Sequence, residues 1–131
     1  MAGLASPTFN KRERIVSRKL IEQLFSKGSS HSTSAFPIRI VYIKRERTED
    51  EEPVQILVSV SKRHFKRAVK RNRVKRQIRE AYRRHKQILT ETVPQDTALA
   101  VAFIWLADEL LDSQQVEKSV KRLLGKVAES I

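Results

Sequence analysis

Between residues 36 and 43 apolar and other side chains alternate, with Phe36, Ile38, Ile40 and Tyr42 on one face and Arg39 and Val41 on the other. That period predicts a strand. Residues 54–60 predict a second strand, in which Ile56 and Val58 are followed by Ser59 and Ser61. Residues 98–105 are almost wholly apolar and β-rich at their end, the pattern of a central strand covered on both faces. The polar stretch 29–34 is a loop or a weak edge strand, and the charged stretch 44–52 predicts a hairpin connection between the first two strands. Helical spacing appears in three places. Ser17 is placed as an N-cap before the stripe Leu20, Ile21, Leu24 and Phe25, with Gly28 at the stop and Val16 and Ile21 at staple spacing. A long helix is expected from about Arg67 to Leu89, ended by the Thr-Val-Pro at 92–94. A last helix follows Asp112, whose Gln115 three residues on resembles a capping box, with Val116, Val120, Leu123, Leu124 and Val127 as its apolar face. The order helix, strand, strand, helix, strand, helix over 131 residues predicts a single α+β domain, a small sheet packed by helices, across residues 11–131. Residues 1–10 read as a short disordered tail. They lack the basic start and apolar block of a secretory signal.

Charge changes this picture more than composition does. The chain carries a net +12, and residues 62–86 account for all of it with thirteen Lys/Arg and one acid, Glu80. A charge so confined points to a docking surface for a polyanion, nucleic acid first and an anionic membrane surface second. No apolar run approaches the roughly 18 residues of a membrane-spanning helix. The chain has no cysteine, which removes thiolate chemistry and disulfides, and the expected compartment is the cytoplasm.

At about 100° per residue, Val74, Ile78, Ala81, Tyr82, His85, Ile88 and Leu89 share one arc of the long helix, while Asn72, Lys75, Arg76, Arg79, Arg83 and Lys86 share roughly the opposite one. The helix is expected to anchor itself by the first arc and present the second. A solvated helix face usually interleaves acids to offset repulsion; here Glu80 stands among eleven Lys/Arg from 66 to 86. Arginine outnumbers lysine in the helix, and its planar fork matches phosphate oxygens in pairs. Asn72 reads two ways, as a donor and acceptor for a base edge or 2′-hydroxyl, or as a first-turn residue bonded to backbone.

The run Ser59-Val-Ser-Lys-Arg63, followed by Arg67-Ala-Val-Lys-Arg-Asn-Arg-Val-Lys-Arg-Gln-Ile-Arg-Glu-Ala-Tyr82, resembles the signature of the bacterial ribonuclease P protein family. Its centre is Arg71-Asn72-Arg73, then Lys75-Arg76 and Arg79-Glu80, at the start of a long helix; with the element order, the resemblance spans roughly residues 10–128. It implies a small α/β sandwich with a left-handed βαβ crossover that binds the catalytic RNA of ribonuclease P and helps it hold precursor tRNA. It further implies that Lys62, Arg63, Lys66, Arg67, Lys70, Arg71, Asn72, Arg73, Lys75, Arg76 and Arg79 face RNA. A cleft between the first helix and the sheet is implied to take the single-stranded 5′ leader, with Phe25 as its aromatic and Ile21 where relatives often carry another. Phe36 and Tyr42 are further candidates for that cleft, with core packing as the alternative. Aromatic platforms beside cations suit a single strand. No DNA or membrane partner is implied.

Candidate chemistry elsewhere is sparse. His31, His64 and His85 have no metal-like spacing, with His85 placed on the apolar face and His64 at the strand-to-helix turn among cations. The run Glu49-Asp50-Glu51-Glu52 reads as a solvated loop, and Asp108, Glu109 and Asp112 lie around a helix start, where the dipole favours acids. No constellation suits phosphodiester cleavage, so no catalytic or metal-ligating residue is assigned; by resemblance the RNA subunit and its Mg²⁺ supply the chemistry. The alternative function is a ribosome-associated or general structured-RNA-binding protein.

Overall fold

In the computed structural model, which describes residues 11–26, 28 and 30–131, a short 3-10 turn (Lys11–Glu13) precedes α1 (Arg18–Leu24). Then follow β1 (His31–Ala35), β2 (Ile38–Glu46), β3 (Val54–Ser59), α2 (Ala68–His85), α3 (Gln87–Thr90), β4 (Thr97–Trp105) and α4 (Ser113–Ser130). The tail expected over 1–10 lies outside the described residues. The sheet order is β1-β2-β4-β3, antiparallel except for the parallel pair β3–β4. Overlapping the stretch that reads as a loop or a weak edge strand, His31–Ala35 forms an edge strand, joined to β2 by a turn holding a cis Phe36–Pro37 bond.

The hairpin expected between the first two predicted strands, which are β2 and β3 of the structure, does not form. β4 separates β2 from β3; residues 44–46 continue β2 beside β4, and the shorter 47–53 connection passes the start of β4. The reason is burial: β4 is apolar on both faces, so the centre of the sheet is the place that removes most of its surface from water. On one face Leu99, Val101, Phe103 and Trp105 join Ile38, Ile40, Tyr42, Val54, Ile56 and Val58 beneath α2 and α4, forming the larger core. On the other, Ala100, Ala102, Val41 and Ile43 pack with Ile15, Leu20 and Leu24, and these small alanines leave room for α1.

Local signals explain most boundaries. Ser17 caps α1, its Oγ accepting from the Leu20 amide, and the Asp112–Gln115 capping box is formed in both directions. The staple at Val16 is absent: its side chain is 87% exposed. The long helix breaks at Lys86 into α2 and α3, so only Val74, Ile78, Ala81, Tyr82 and Leu89 of the expected arc are fully buried, with His85 and Ile88 at its boundary. The acidic connection is also more ordered than a solvated loop. Glu51 accepts from the Thr48 amide and from Arg45, which hold its carboxyl below the usual range, and Glu52 pairs with Arg12.

Candidate RNA interface

Four buried side chains, Val74, Ile78, Ala81 and Tyr82, clamp α2 onto the sheet and α4. Val74, Ile78 and Tyr82 each contribute on the order of 1.5–3 kcal/mol by leaving water and the Ala81 methyl somewhat under about 1, which fixes the helix rotation and so the direction of its cations. Lys62, Arg63, Lys66 and Arg67 are exposed on the turn before α2, and Lys70, Asn72, Arg73 and Arg76 along its first turns, with Lys75 and Arg79 half-buried. The helix starts at Arg67 with no side-chain cap and no acid in its first turn. Its free amides and the positive end of its dipole therefore add to the cationic field, an arrangement that attracts phosphate.

The second half of α2 is different. Glu80 pairs with Arg83 at 2.5 Å and Arg84 at 3.4 Å; Glu117 of α4 accepts from His85 at 2.8 Å and lies 3.5 Å from Arg84. The Arg83 hydrogen bond chiefly holds the Glu80 carboxyl below its ordinary value, and the His85 hydrogen bond does the same for Glu117. Lys86 donates to the buried Glu13 at 2.7 Å. Arg83 and Lys86, assigned by helical angle to the basic arc, are therefore tied to acids from their own helix and from the N-terminal segment. Among the described residues, no carboxylate lies within ion-pair distance of Lys62, Arg63, Lys66, Arg67, Lys70, Arg73, Lys75, Arg76 or Arg79.

Two side chains in the basic run have local work. Arg71 Nη1 donates to the carbonyls of Phe65 and Lys66 at 2.7 and 2.8 Å, pinning the turn that presents Lys62 to Lys66. His64 does not stand among cations alone: its Nδ1 lies 2.6 Å from Asp108 Oδ1, which fastens the same turn to the end of β4. Asn72, Arg76, Arg79, Glu80 and Arg83 line a cavity of about 450 Å³ together with Arg14, a residue the helical pattern could not supply. Arg14 reaches it because the segment before α1 runs along the outer edge of β3, with the Ile15 amide donating to the Ile56 carbonyl at 2.9 Å. Partial burial, then the charge of Arg14, lower the pKa of Arg79. The guanidinium stays protonated, so an anion in this cavity would relieve both effects.

On the α1 side of the sheet, Phe25 at the C-cap is half exposed and Ile21 is half-buried beside Leu20 and Leu24. Arg39 lies on this same face, two residues before Val41, and donates to Ser32 Oγ. The other two candidates for this cleft lie elsewhere. Tyr42 is 5% exposed in the larger core under α2 and α4, its ring against His31, because strand parity groups it with Ile38 and Ile40. Phe36 is 71% exposed at the β1–β2 turn, beside α4. Among the described residues no three His, Asp or Glu side chains gather as a metal-holding group, and no helix is long and apolar enough to cross a membrane.

A four-stranded sheet packed by helices, with a concentrated cationic helix face and a half-exposed Phe25 at the end of α1, defines a small α+β protein of the nucleic-acid-binding class. The Ribonuclease P family model matches residues 9–128, so the chain belongs to the ribonuclease P protein family. It is 39% identical to the ribonuclease P protein component of Porphyromonas gingivalis strain W83, over 95% of this chain and 91% of the relative. The counterpart from Chlorobium phaeobacteroides is 36% identical over 68% of this chain and 61% of the relative. The fold of the present chain is similar to that of a Staphylococcus aureus RNase P protein mutant with defective mRNA degradation activity (TM-score 0.68, 24% identity, covering 91% of this chain and 90% of that one). The RNase P protein from Thermotoga maritima is also similar (TM-score 0.66, 20% identity, covering 87% and 96%).

Proposed function

We propose that this chain is the protein subunit of a ribonuclease P ribonucleoprotein, an endoribonuclease that matures the 5′ ends of tRNA with chemistry carried by RNA. The uncompensated cations of residues 62–79 bind the catalytic RNA, and the α1 side of the sheet binds the 5′ leader of precursor tRNA. The observation that supports this reading most is the division of α2. Acids neutralise its second half and none neutralises the first, where the uncapped helix end adds to the same field. Arg76, Arg79 and Asn72, with Arg14, line an open cavity with room for backbone phosphates, and Phe25 with Ile21 offers a face for a stacked base. Arg71 shapes the turn that carries Lys62, Arg63 and Lys66. In this reading Mg²⁺ is held by the RNA, and the protein lowers the Mg²⁺ requirement by neutralising phosphate repulsion.

Reconstitution with a bacterial ribonuclease P RNA and a 5′-extended precursor tRNA at low Mg²⁺ tests the reading. Added protein is expected to restore cleavage and to favour precursors with a leader over mature tRNA. Binding to RNA without any gain in processing would favour a general structured-RNA binder instead. Mg²⁺-dependent cleavage by RNA-free protein would overturn the assignment of chemistry to RNA.

A further inference from the structure

Away from both surfaces, the outer face of α4 and the β1–β2 turn enclose an open groove of about 1290 Å³. Its walls differ in chemistry. One is a stripe of cations on α4, Lys118, Lys121, Arg122 and Lys126, spaced i, i+3, i+4 and i+8 along about 12 Å of helix. The other is the turn with Phe36 and Pro37, and Ala35, Ile88 and Leu111 add apolar lining. Lys126 Nζ donates to the Ser34 carbonyl at 3.0 Å, and the Ser119 hydroxyl donates to the Ala35 carbonyl at 2.6 Å, so both walls are held in register.

Two features of the groove call for an occupant. Phe36 holds a large apolar ring 71% exposed, although α4 passes beside it. The four cations have no carboxylate within ion-pair distance among the described residues, and Glu117 of the same helix is engaged by His85 and Arg84. Two acids, Glu109 and Glu129, also line the groove, leaving a net positive lining. Charge on one wall and an aromatic ring on the other match a nucleotide strand, which carries phosphate on one edge and base on the other. A duplex would hide its base faces from Phe36. An acidic peptide would satisfy the cations and leave the ring without a stacking partner.

We propose that this groove binds a single-stranded segment of RNA, with phosphates along α4 and a base on Phe36, at a site separate from the α2 face and the α1 cleft. The test uses the full chain and a ten-nucleotide oligoribonucleotide carrying 4-thiouridine, cross-linked by light and mapped by mass spectrometry. Adducts are expected at Phe36 and within 118–126. The double variant Lys121→Glu/Arg122→Glu, at two exposed positions, is expected to lower the Phe36 adduct about fivefold or more at unchanged melting temperature and unchanged adducts on α2. Phe36→Leu, which keeps an apolar side chain and removes the ring, is expected to lower the α4 adducts similarly. Adducts confined to residues 62–79 or to α1 would overturn the proposal, as would a Phe36 adduct indifferent to the double variant. Displacement of the oligonucleotide from Phe36 by polyglutamate as readily as by unlabelled RNA would overturn it in favour of an acidic protein partner.

Discussion

Arg76→Ala and Arg84→Ala remove the same formal charge from one helix, and the structure gives them unequal effects. All ten Lys/Arg from 62 to 79 lack a carboxylate partner among the described residues, spread around the turn and the first two-thirds of α2, with Arg71 bonded to backbone carbonyls. An RNA surface meets one side of a helix, so roughly five of them reach phosphate together. At about 0.9 per contact, log K should then fall against log salt with a slope of about −4 to −4.5. Arg76 lines the cavity with Arg14 and Arg79. Its loss is expected to reduce the slope by about 1 and the affinity by about 1–2 kcal/mol. Arg84 sits 3.4 Å from Glu80 and 3.5 Å from Glu117, and a phosphate would have to draw it from both acids. Its removal is expected to leave the slope unchanged and the affinity within about twofold. Fluorescence anisotropy of labelled ribonuclease P RNA, titrated between about 0.1 and 0.5 M monovalent salt, measures both quantities. Equal losses for the two variants would refute the reasoning, because they would mean that only net charge matters and that the pairing along α2 does not.

Ile78→Ala, a fully buried contact of α2, is expected to destabilise the domain by about 2–4 kcal/mol in urea unfolding without a specific effect on salt slope. Phe25→Ala, half exposed at the end of α1, is expected to leave stability near that of the parent and to reduce the preference for leader-bearing precursor by about 1–3 kcal/mol in competition binding. A loss of stability with intact leader preference would place Phe25 in the core instead. Glu80 and Glu117 both have carboxyl pKa values held below 4.5, so the stability they contribute is complete above the unfolded-state value and lost as pH falls through the folded-state value. Glu117→Gln should accordingly flatten the acid limb of melting temperature against pH below about 5, and an unchanged limb would count against the His85–Glu117 contact.

What the chain discloses about itself depends on how local the cause is. The apolar arc of α2, the Ser17 cap and the Asp112–Gln115 box follow from spacing over a few residues, and each is legible. Strand parity was also legible: Ile38, Ile40 and Tyr42 do share a face. Which face receives α1 is a long-range matter, and that is why Tyr42 reads as a cleft candidate and lies in the larger core. The insertion of β4 between β2 and β3 is long-range too, although the double-sided apolar run at 98–105 already implied a strand covered on both faces. The break at Lys86 has no glycine or proline to announce it; the lysine engages Glu13, 73 residues away in sequence. Arg14 escaped the reading for the same reason, since only the strand-like path of the segment before α1 brings it to Arg76 and Arg79. Its position in the basic run 11–14 was the one available hint.

The acids around α2 also explain why a helix so rich in cations can fold before it meets RNA. Thirteen like charges within 62–86 oppose compaction, most severely where they are also partly buried, as at Arg79. Compensation by Glu80, Glu117 and Glu13 is concentrated where α2 meets α4 and the N-terminal segment, the contacts that hold the helix in place. The remaining repulsion is left at the helix start and the exposed turn, where solvent screens it. Those positions are exposed, and in the proposed complex the same repulsion would become free energy recovered on binding RNA. Moving an acid into the first half, by Asn72→Glu for example, should therefore stabilise the free protein modestly and weaken RNA binding, two effects of opposite sign from one residue. Thermal melts and anisotropy on that single variant measure both, and a variant that loses RNA affinity without gaining stability would show that the cations do not strain the free fold.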